Sequence, residues 1–195
     1  MVKEHVQVAV DAGADAIGFV FAPSKRRVTI EQAHQLAKEI PPNVLKIGVF
    51  VNPTHDEIES AFREVPLDVV QYHGDETSTF INANSYPSIK ALSIKNEEDV
   101  NLAKQFETEY YLFDAPGTDY KGGSGLTFDW QLMKGLSISE DKVILAGGLN
   151  QLNVGEAIQR VKPYMVDVSS GVERDGIKDE ELIRKFIRAV KDGER

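Results

Sequence analysis

Short apolar runs of strand length alternate with helical patterns along almost all of the 195 residues, and this alternation limits what the chain can fold into. The runs are AIGFVF (Ala16 to Phe21), LKIGVFV (Leu45 to Val51), DVVQYH (Asp68 to His73) and SIKALS (Ser88 to Ser93). YYLFDA (Tyr110 to Ala115), KVILAGG (Lys142 to Gly148) and YMVDVSS (Tyr164 to Ser170) follow. Most are near-continuously apolar, as strands are when a parallel sheet is buried on both faces. Between them apolar residues recur every three or four positions. Ala33, Leu36, Ala37 and Ile40 share one helical face, and Ile58, Ala61, Phe62 and Val65 another. Val154, Ala157, Ile158 and Val161 form a third, and Leu182, Phe186, Ile187 and Val190 a fourth. Thr29 with Gln32, and Thr54 with Glu57, have the spacing of capping boxes, and Asn150 reads as an N-cap. Such βαβ units, joined by right-handed crossovers, give an α/β barrel or a doubly wound sheet.

No linker, low-complexity segment or composition break interrupts the pattern, so residues 1–195 read as one domain. The length falls slightly short of a full eight-unit barrel, which needs at least ~200 residues. Seven strands are visible rather than eight, and the chain opens on a helical face (Val2, Val6, Ala9, Val10) that ends at Gly13. The net charge of -9, from 31 acidic and 22 basic residues, disfavours nucleic acid and anionic membranes as partners. With no cysteine, disulfides and thiolate metal sites are excluded. No apolar run reaches the ~18 residues of a membrane span, and MVKEHVQVAV is not a signal peptide, which points to a cytoplasmic chain. The four histidines form neither HExxH nor HxH, and no GxGxxG or P-loop follows a strand, so neither metal nor nucleotide cofactor is expected.

Chemistry is expected where strands end. LAGGLN (Leu145 to Asn150) and VDVSSG (Val166 to Gly171) each read as a strand that stops in small residues and then opens a helix. Small residues let backbone N–H groups approach a ligand, and a helix N-terminus adds positive potential. Two such loops in succession are how barrels hold a phosphate. The cluster Lys25, Arg26, Arg27 suits an anionic ligand in this acidic chain, since arginine grips a carboxylate through two parallel hydrogen bonds. Asn52 directly follows one further strand, and His73 ends another. Asp114 closes a strand after largely apolar residues, a place for a general acid or base. Asp167, read as lying inside its strand on the face opposite Val166 and Val168, is expected at the barrel mouth facing the ligand. The glycine-rich stretch Pro116 to Thr127 reads as a lid.

Taken together, several segments resemble the phosphoribosylanthranilate isomerase family of tryptophan biosynthesis. They are GADAIGFVFAPSKRRV (Gly13 to Val28), GVFVN (Gly48 to Asn52), QYHGDE (Gln71 to Glu76) and FDA (Phe113 to Ala115). GGSGLTFDW (Gly122 to Trp130), AGGLN (Ala146 to Asn150) and VDVSSGVE (Val166 to Glu173) complete the ordered set. The resemblance implies a (βα)8 TIM barrel, lacking its first β-strand in this chain. It implies an Amadori rearrangement of N-(5-phosphoribosyl)anthranilate to 1-(2-carboxyphenylamino)-1-deoxyribulose 5-phosphate, without a cofactor. It also implies roles: Asp114 as general acid, Arg26 as receptor of the anthranilate carboxylate, and His73 and Asp167 lining the site. The phosphate falls to backbone groups around Gly147, Gly148, Ser170 and Gly171. A small phosphorylated molecule is the expected partner, and the chain is expected as monomer or homodimer.

One implied group has no counterpart. The family's general base is a cysteine at the end of the first strand, and this sequence has neither. A natural gene product longer by one strand and turn, on the order of ten residues, is one expectation. The strands beginning at Ala16 and ending at Ser170 would otherwise have open apolar edges, prone to pairing with other chains. The alternative is a catalytically impaired relative that keeps the phosphate grip without the base, or another phosphosugar barrel. A ribulose-phosphate epimerase would need metal-binding histidines and acids, and an indole-glycerol-phosphate synthase strand-end lysines and glutamates. Neither set is found in the expected pattern.

Overall fold

The structure is a computed structural model that describes residues 2–116 and 127–193. Contacts group the chain into two compact units, residues 1–89 and 90–195. The expected lid, 116–127, falls almost wholly outside the described residues.

The first unit contains α1 (Lys3–Ala12), β1 (Ala16–Val20), α2 (Ile30–Ala37), β2 (Leu45–Phe50), α3 (His55–Glu64), β3 (Val69–Tyr72) and α4 (Ser78–Asn82). β1, β2 and β3 pair in parallel and in sequence order, with Phe19 opposite Gly48 and Val49 opposite Gln71. Each helix begins and ends for a local reason. Gly13 takes φ 97° after α1, and its N–H bonds the carbonyls of Ala9 and Val10. Thr29 and Thr54 close full capping boxes with Gln32 and Glu57. The expected apolar faces are the buried ones: Ala33, Ile58 and Ala61 are all but sealed from solvent, as are Phe19 and Val70 on the strands. Removing such side chains from water stabilises the unit by about 25 cal/mol per Å² of apolar surface.

β4 (Ser88–Ser93) starts in the first unit and runs into the second along the chain. The second unit continues with α5 (Glu97–Asn101), β5 (Tyr110–Asp114), β6 (Val143–Leu145), α6 (Val154–Val161) and β7 (Met165–Val166). A short hairpin of β8 (Glu173–Arg174) and β9 (Ile177–Lys178) precedes α7 (Glu180–Gly193). β5, β6 and β7 are again parallel neighbours. Phe113, Leu145, Leu149, Val154 and Ala157 are fully enclosed, and Ile183 and Phe186 bury one face of α7.

Several expectations are corrected here. The strand expected over Lys142 to Gly148 is only Val143–Leu145, because Gly147 and Gly148 take φ 85° and 63°, outside the extended region. Asn150 caps a turn ahead of the helix proper: its Oδ1 accepts from Leu152 N at 2.8 Å and its carbonyl from Val154 N at 3.1 Å, while α6 itself starts at Val154. The last strand ends at Val166, so Asp167 lies beyond it rather than inside it. No α-helix opens at VDVSSG: a 3-10 turn, Ser170–Val172, leads into the hairpin instead. Asp175 and Gly176, with φ 53° and 78°, make the tight turn between β8 and β9. Asp-Gly is the dipeptide such turns prefer.

Candidate active site

The cleft of the second unit is built from strand ends. Asp114 is the last residue of β5 and is buried, at 5% exposure. It lines the cleft with Ala146, Gly147, Gly148, Leu149, Asp167, Ser169 and Ser170. Thus five of the residues singled out from sequence, Asp114, Gly147, Gly148, Asp167 and Ser170, face one space. Asp167 is the exposed member, held by its N–H on the carbonyl of Leu145 at 2.8 Å.

Two loops approach here as bare backbone. A Cβ on Gly147 would stand 2.3 Å from the amide nitrogen of Ala115, so only glycine fits. Gly171 fills the same need against Leu149. The loop after β6 is tied by amide side chains: Asn153 Oδ1 accepts from Asn150 N at 2.8 Å, and Asn153 Nδ2 donates to the carbonyl of Gly148 at 3.1 Å. Asn150 Oδ1 accepts from Leu152 N at 2.8 Å. The two asparagines therefore cap the turn that leads into α6.

The loop after β7 is held by groups that the sequence reading missed. Lys178 Nζ donates to the carbonyl of Ser169 at 2.8 Å and pairs with Glu173 at 3.1 Å. The two side chains are 17% and 5% exposed. The signal for them was the Asp-Gly turn in VERDGIK, which folds the chain back and sets Lys178 opposite Glu173.

In the first unit, Arg26 lies on the loop after β1 and is half-buried. Ser24 shapes that loop, accepting at Oγ from Arg26 N (3.1 Å) and at its carbonyl from Arg27 N (3.1 Å). Val28 N closes the loop onto the carbonyl of Val20 at 2.9 Å. His73 follows β3 and bonds the Phe50 carbonyl through its N–H at 2.8 Å. Its Nδ1 is 3.1 Å from Gln71 Nε2. An amide nitrogen only donates, so Nδ1 is the acceptor of this bond.

A buried carboxylate, also missed from sequence, ties these loops together. Glu76, 7% exposed, accepts from Asn52 N at 2.8 Å and from Gly74 N at 3.0 and 3.1 Å. Asn52, in the left-handed region at φ 49°, accepts at its Oδ1 from Asp75 N at 2.7 Å. A Cβ on Gly74 would meet Asn52 Oδ1 at 2.4 Å. Among the described residues, no group of three or more His, Cys, Asp or Glu side chains is arranged to hold a metal ion.

Comparison with known proteins adds to this geometry. Residues 1–189 match the family model described as N-(5'-phosphoribosyl)anthranilate (PRA) isomerase. The N-(5'-phosphoribosyl)anthranilate isomerase of Listeria innocua is 53% identical over 186 residues, 95% of this chain and 92% of that one. A crystal structure of monomers of the dimeric phosphoribosylanthranilate isomerase from Thermotoga maritima superposes with TM-score 0.85 at 36% identity, covering 98% of this chain and 94% of that one. A phosphoribosylanthranilate isomerase in complex with reduced 1-(o-carboxyphenylamino)-1-deoxyribulose 5-phosphate gives TM-score 0.83 at 37% identity, with coverages of 98% and 94%. The fold class follows: α/β, of the TIM-barrel type, with seven barrel strands among the described residues where a full barrel has eight.

Proposed function

This chain belongs to the N-(5'-phosphoribosyl)anthranilate isomerase family, and from that premise we propose which of its residues carry the reaction. The activity is isomerisation of N-(5'-phosphoribosyl)anthranilate to 1-(2-carboxyphenylamino)-1-deoxyribulose 5-phosphate in tryptophan biosynthesis. The observation that carries the assignment of roles is the cleft in which Asp114 faces the backbone of Gly147, Gly148 and Ser170.

In the proposed sequence, the Asp114 carboxyl gives its proton to the ribose ring oxygen. The bond from C1 to that oxygen breaks, and the nitrogen lone pair closes a C1=N double bond. A base then takes the proton from C2, the electron pair forms C1=C2, and nitrogen becomes neutral. The resulting enaminol moves its hydroxyl proton to C1 and becomes the ketone. The acid step suits a carboxyl at the end of an apolar strand. Loop N–H groups of Gly147, Gly148, Ser170 and Gly171 hold the phosphate. Arg26 receives the carboxylate of the anthranilate ring, while His73 and Asp167 line the site.

The cysteine that the family resemblance implies as base is not among these 195 residues. The chain by itself is therefore expected to bind the reduced product analogue while turning over slowly. Loss of a proton-transfer group lowers rates by about 100- to 10,000-fold. Calorimetric titration with the analogue, beside stopped-time turnover assays, tests this. Normal turnover would assign the base to a side chain of this sequence. Absence of binding would overturn the site itself.

We also propose that residues 1–195 act as one domain, supported by the lack of any composition break between the two units. Coincident unfolding curves from two spectroscopic probes are the expected result. A relative is dimeric by name, and light scattering would show whether this chain is monomer or homodimer. Among the described residues no helix is long and apolar enough to cross a membrane. Cytoplasmic placement is part of the same proposal, and cell fractionation tests it.

A further inference from the structure

We propose that the ion pair Glu173–Lys178, on the hairpin after β7, is a positioning device for the phosphate grip. The inference rests on the reading that Ser170 and Gly171 bind phosphate. Lys178 Nζ stands 2.8 Å from the carbonyl oxygen of Ser169, which also receives Val172 N at 3.4 Å. That oxygen and the N–H of Ser170 belong to one peptide plane, and in a trans peptide they point in opposite directions. An ammonium on the oxygen thus fixes the N–H on the other side, and Ser169 and Ser170 both line the cleft. The same ammonium polarises the peptide, which strengthens the N–H as a donor to an anion.

The device is built rather than incidental. Glu173 holds Lys178 at 3.1 Å across the two-stranded hairpin, where Glu173 is directly paired with Lys178 in register. Asp179, the next residue, accepts from Arg174 Nε at 2.9 Å and from Leu182 N at 3.0 Å, and its own N–H bonds the Val172 carbonyl at 2.9 Å. The hairpin is therefore fastened to the start of α7 and to the end of the 3-10 turn. Gly171 is packed so closely on Leu149 that a Cβ there would stand 1.8 Å from the Leu149 carbonyl oxygen. Lys178 touches no reacting atom in this account; it acts through the Ser169–Ser170 peptide.

The test compares two ligands by calorimetry: the reduced product analogue, and the same compound without its phosphate. Lys178→Met is expected to weaken the phosphorylated ligand by roughly 10- to 100-fold, the worth of one hydrogen bond to a charged group. Affinity for the dephosphorylated compound should stay unchanged, and Lys178→Arg should restore part of the loss. A purely structural role would weaken both ligands alike, and that result overturns the proposal. If wild type does not prefer the phosphorylated ligand, the phosphate site falls instead, which is a distinct failure. Should Lys178→Met fold poorly because the buried Glu173 carboxylate loses this ion pair, the double variant Glu173→Gln, Lys178→Met removes that charge and decides the matter. In the wild type, the Ser170 amide resonance must shift downfield with the phosphorylated ligand only. An unmoved Ser170 amide overturns the proposal whatever the variants do.

Discussion

A side-chain carbon placed on Gly171 would lie 1.8 Å from the carbonyl oxygen of Leu149, so the two loops proposed to hold the phosphate meet backbone against backbone. No rotamer relieves such a contact, because the backbone fixes the Cβ position and the other partner is main chain. Gly171→Ala must push the loop after β7 away from the loop after β6. Overpacking of this kind costs about 1–3 kcal/mol, and a lower urea midpoint with an unchanged slope is the expected sign. Affinity for the reduced product analogue should fall at the same time, since the loop amides move apart. A variant with wild-type affinity would show that the approach of the two loops is not needed for binding.

The closeness of these loops explains what could and could not be read from sequence. Strand cores such as Tyr110–Asp114 and Val143–Leu145 were legible because burial on both faces demands largely apolar residues. The capping boxes at Thr29 and Thr54 were legible because they are local. Loop paths were less so. Asn150 carries the right side chain for an N-cap and bonds Leu152 N, yet a three-residue turn separates it from the start of α6 at Val154. Glu76 and Lys178 were missed for a different reason. Each acts through a fold-back, of Asn52 toward Gly74 or of β9 onto β8, that brings together residues with no shared periodicity. The roles of Asp114 and Arg26 came from family resemblance, and the geometry adds the burial of the one and the loop that carries the other.

Asp114 gives the sharpest kinetic expectation. Asp114→Asn keeps the shape and loses the proton, so turnover should fall by about 100- to 10,000-fold. The Kd for the reduced analogue, measured by fluorescence titration, should change little. Where wild-type turnover is already slow, single-turnover mixing over long times reads the difference. Unchanged turnover would remove Asp114 from the acid role.

Glu76 is expected to matter for stability first. Glu76→Ala strips the acceptor from Asn52 N and Gly74 N together. A buried donor left without a partner costs about 1–3 kcal/mol, so chemical denaturation should show a loss of at least ~2 kcal/mol. Glu76→Gln retains Oε1, which receives both N–H groups, and should recover most of it. The NMR signals of the His73 ring, on the same loop, are expected to shift in the alanine variant. An alanine variant as stable as wild type would mean that the carboxylate is not what fixes these loops.

Tyr72 supplies an alkaline signature. Its ring is fully buried and packs edge-on against Phe80 at 6.2 Å, while its hydroxyl has no hydrogen-bond partner among the described residues. Burial, and next the negative charge of Glu76, push its pKa far above the ordinary 10.0. The sign follows from which state ionises. Below pH 10 the phenol is neutral in both folded and unfolded chains and adds no pH dependence. Above it the unfolded chain ionises and the folded one does not, so the native state loses stability as pH rises. Tyr72→Phe should remove that share of the alkaline loss. At neutral pH it should also raise stability by about 1 kcal/mol, since a buried hydroxyl without a partner carries a desolvation penalty of that order. Guanidinium unfolding at pH 7 and at pH 10.5 measures both effects. A phenylalanine variant that is less stable at pH 7 would show that the hydroxyl has a partner, and would overturn the expectation.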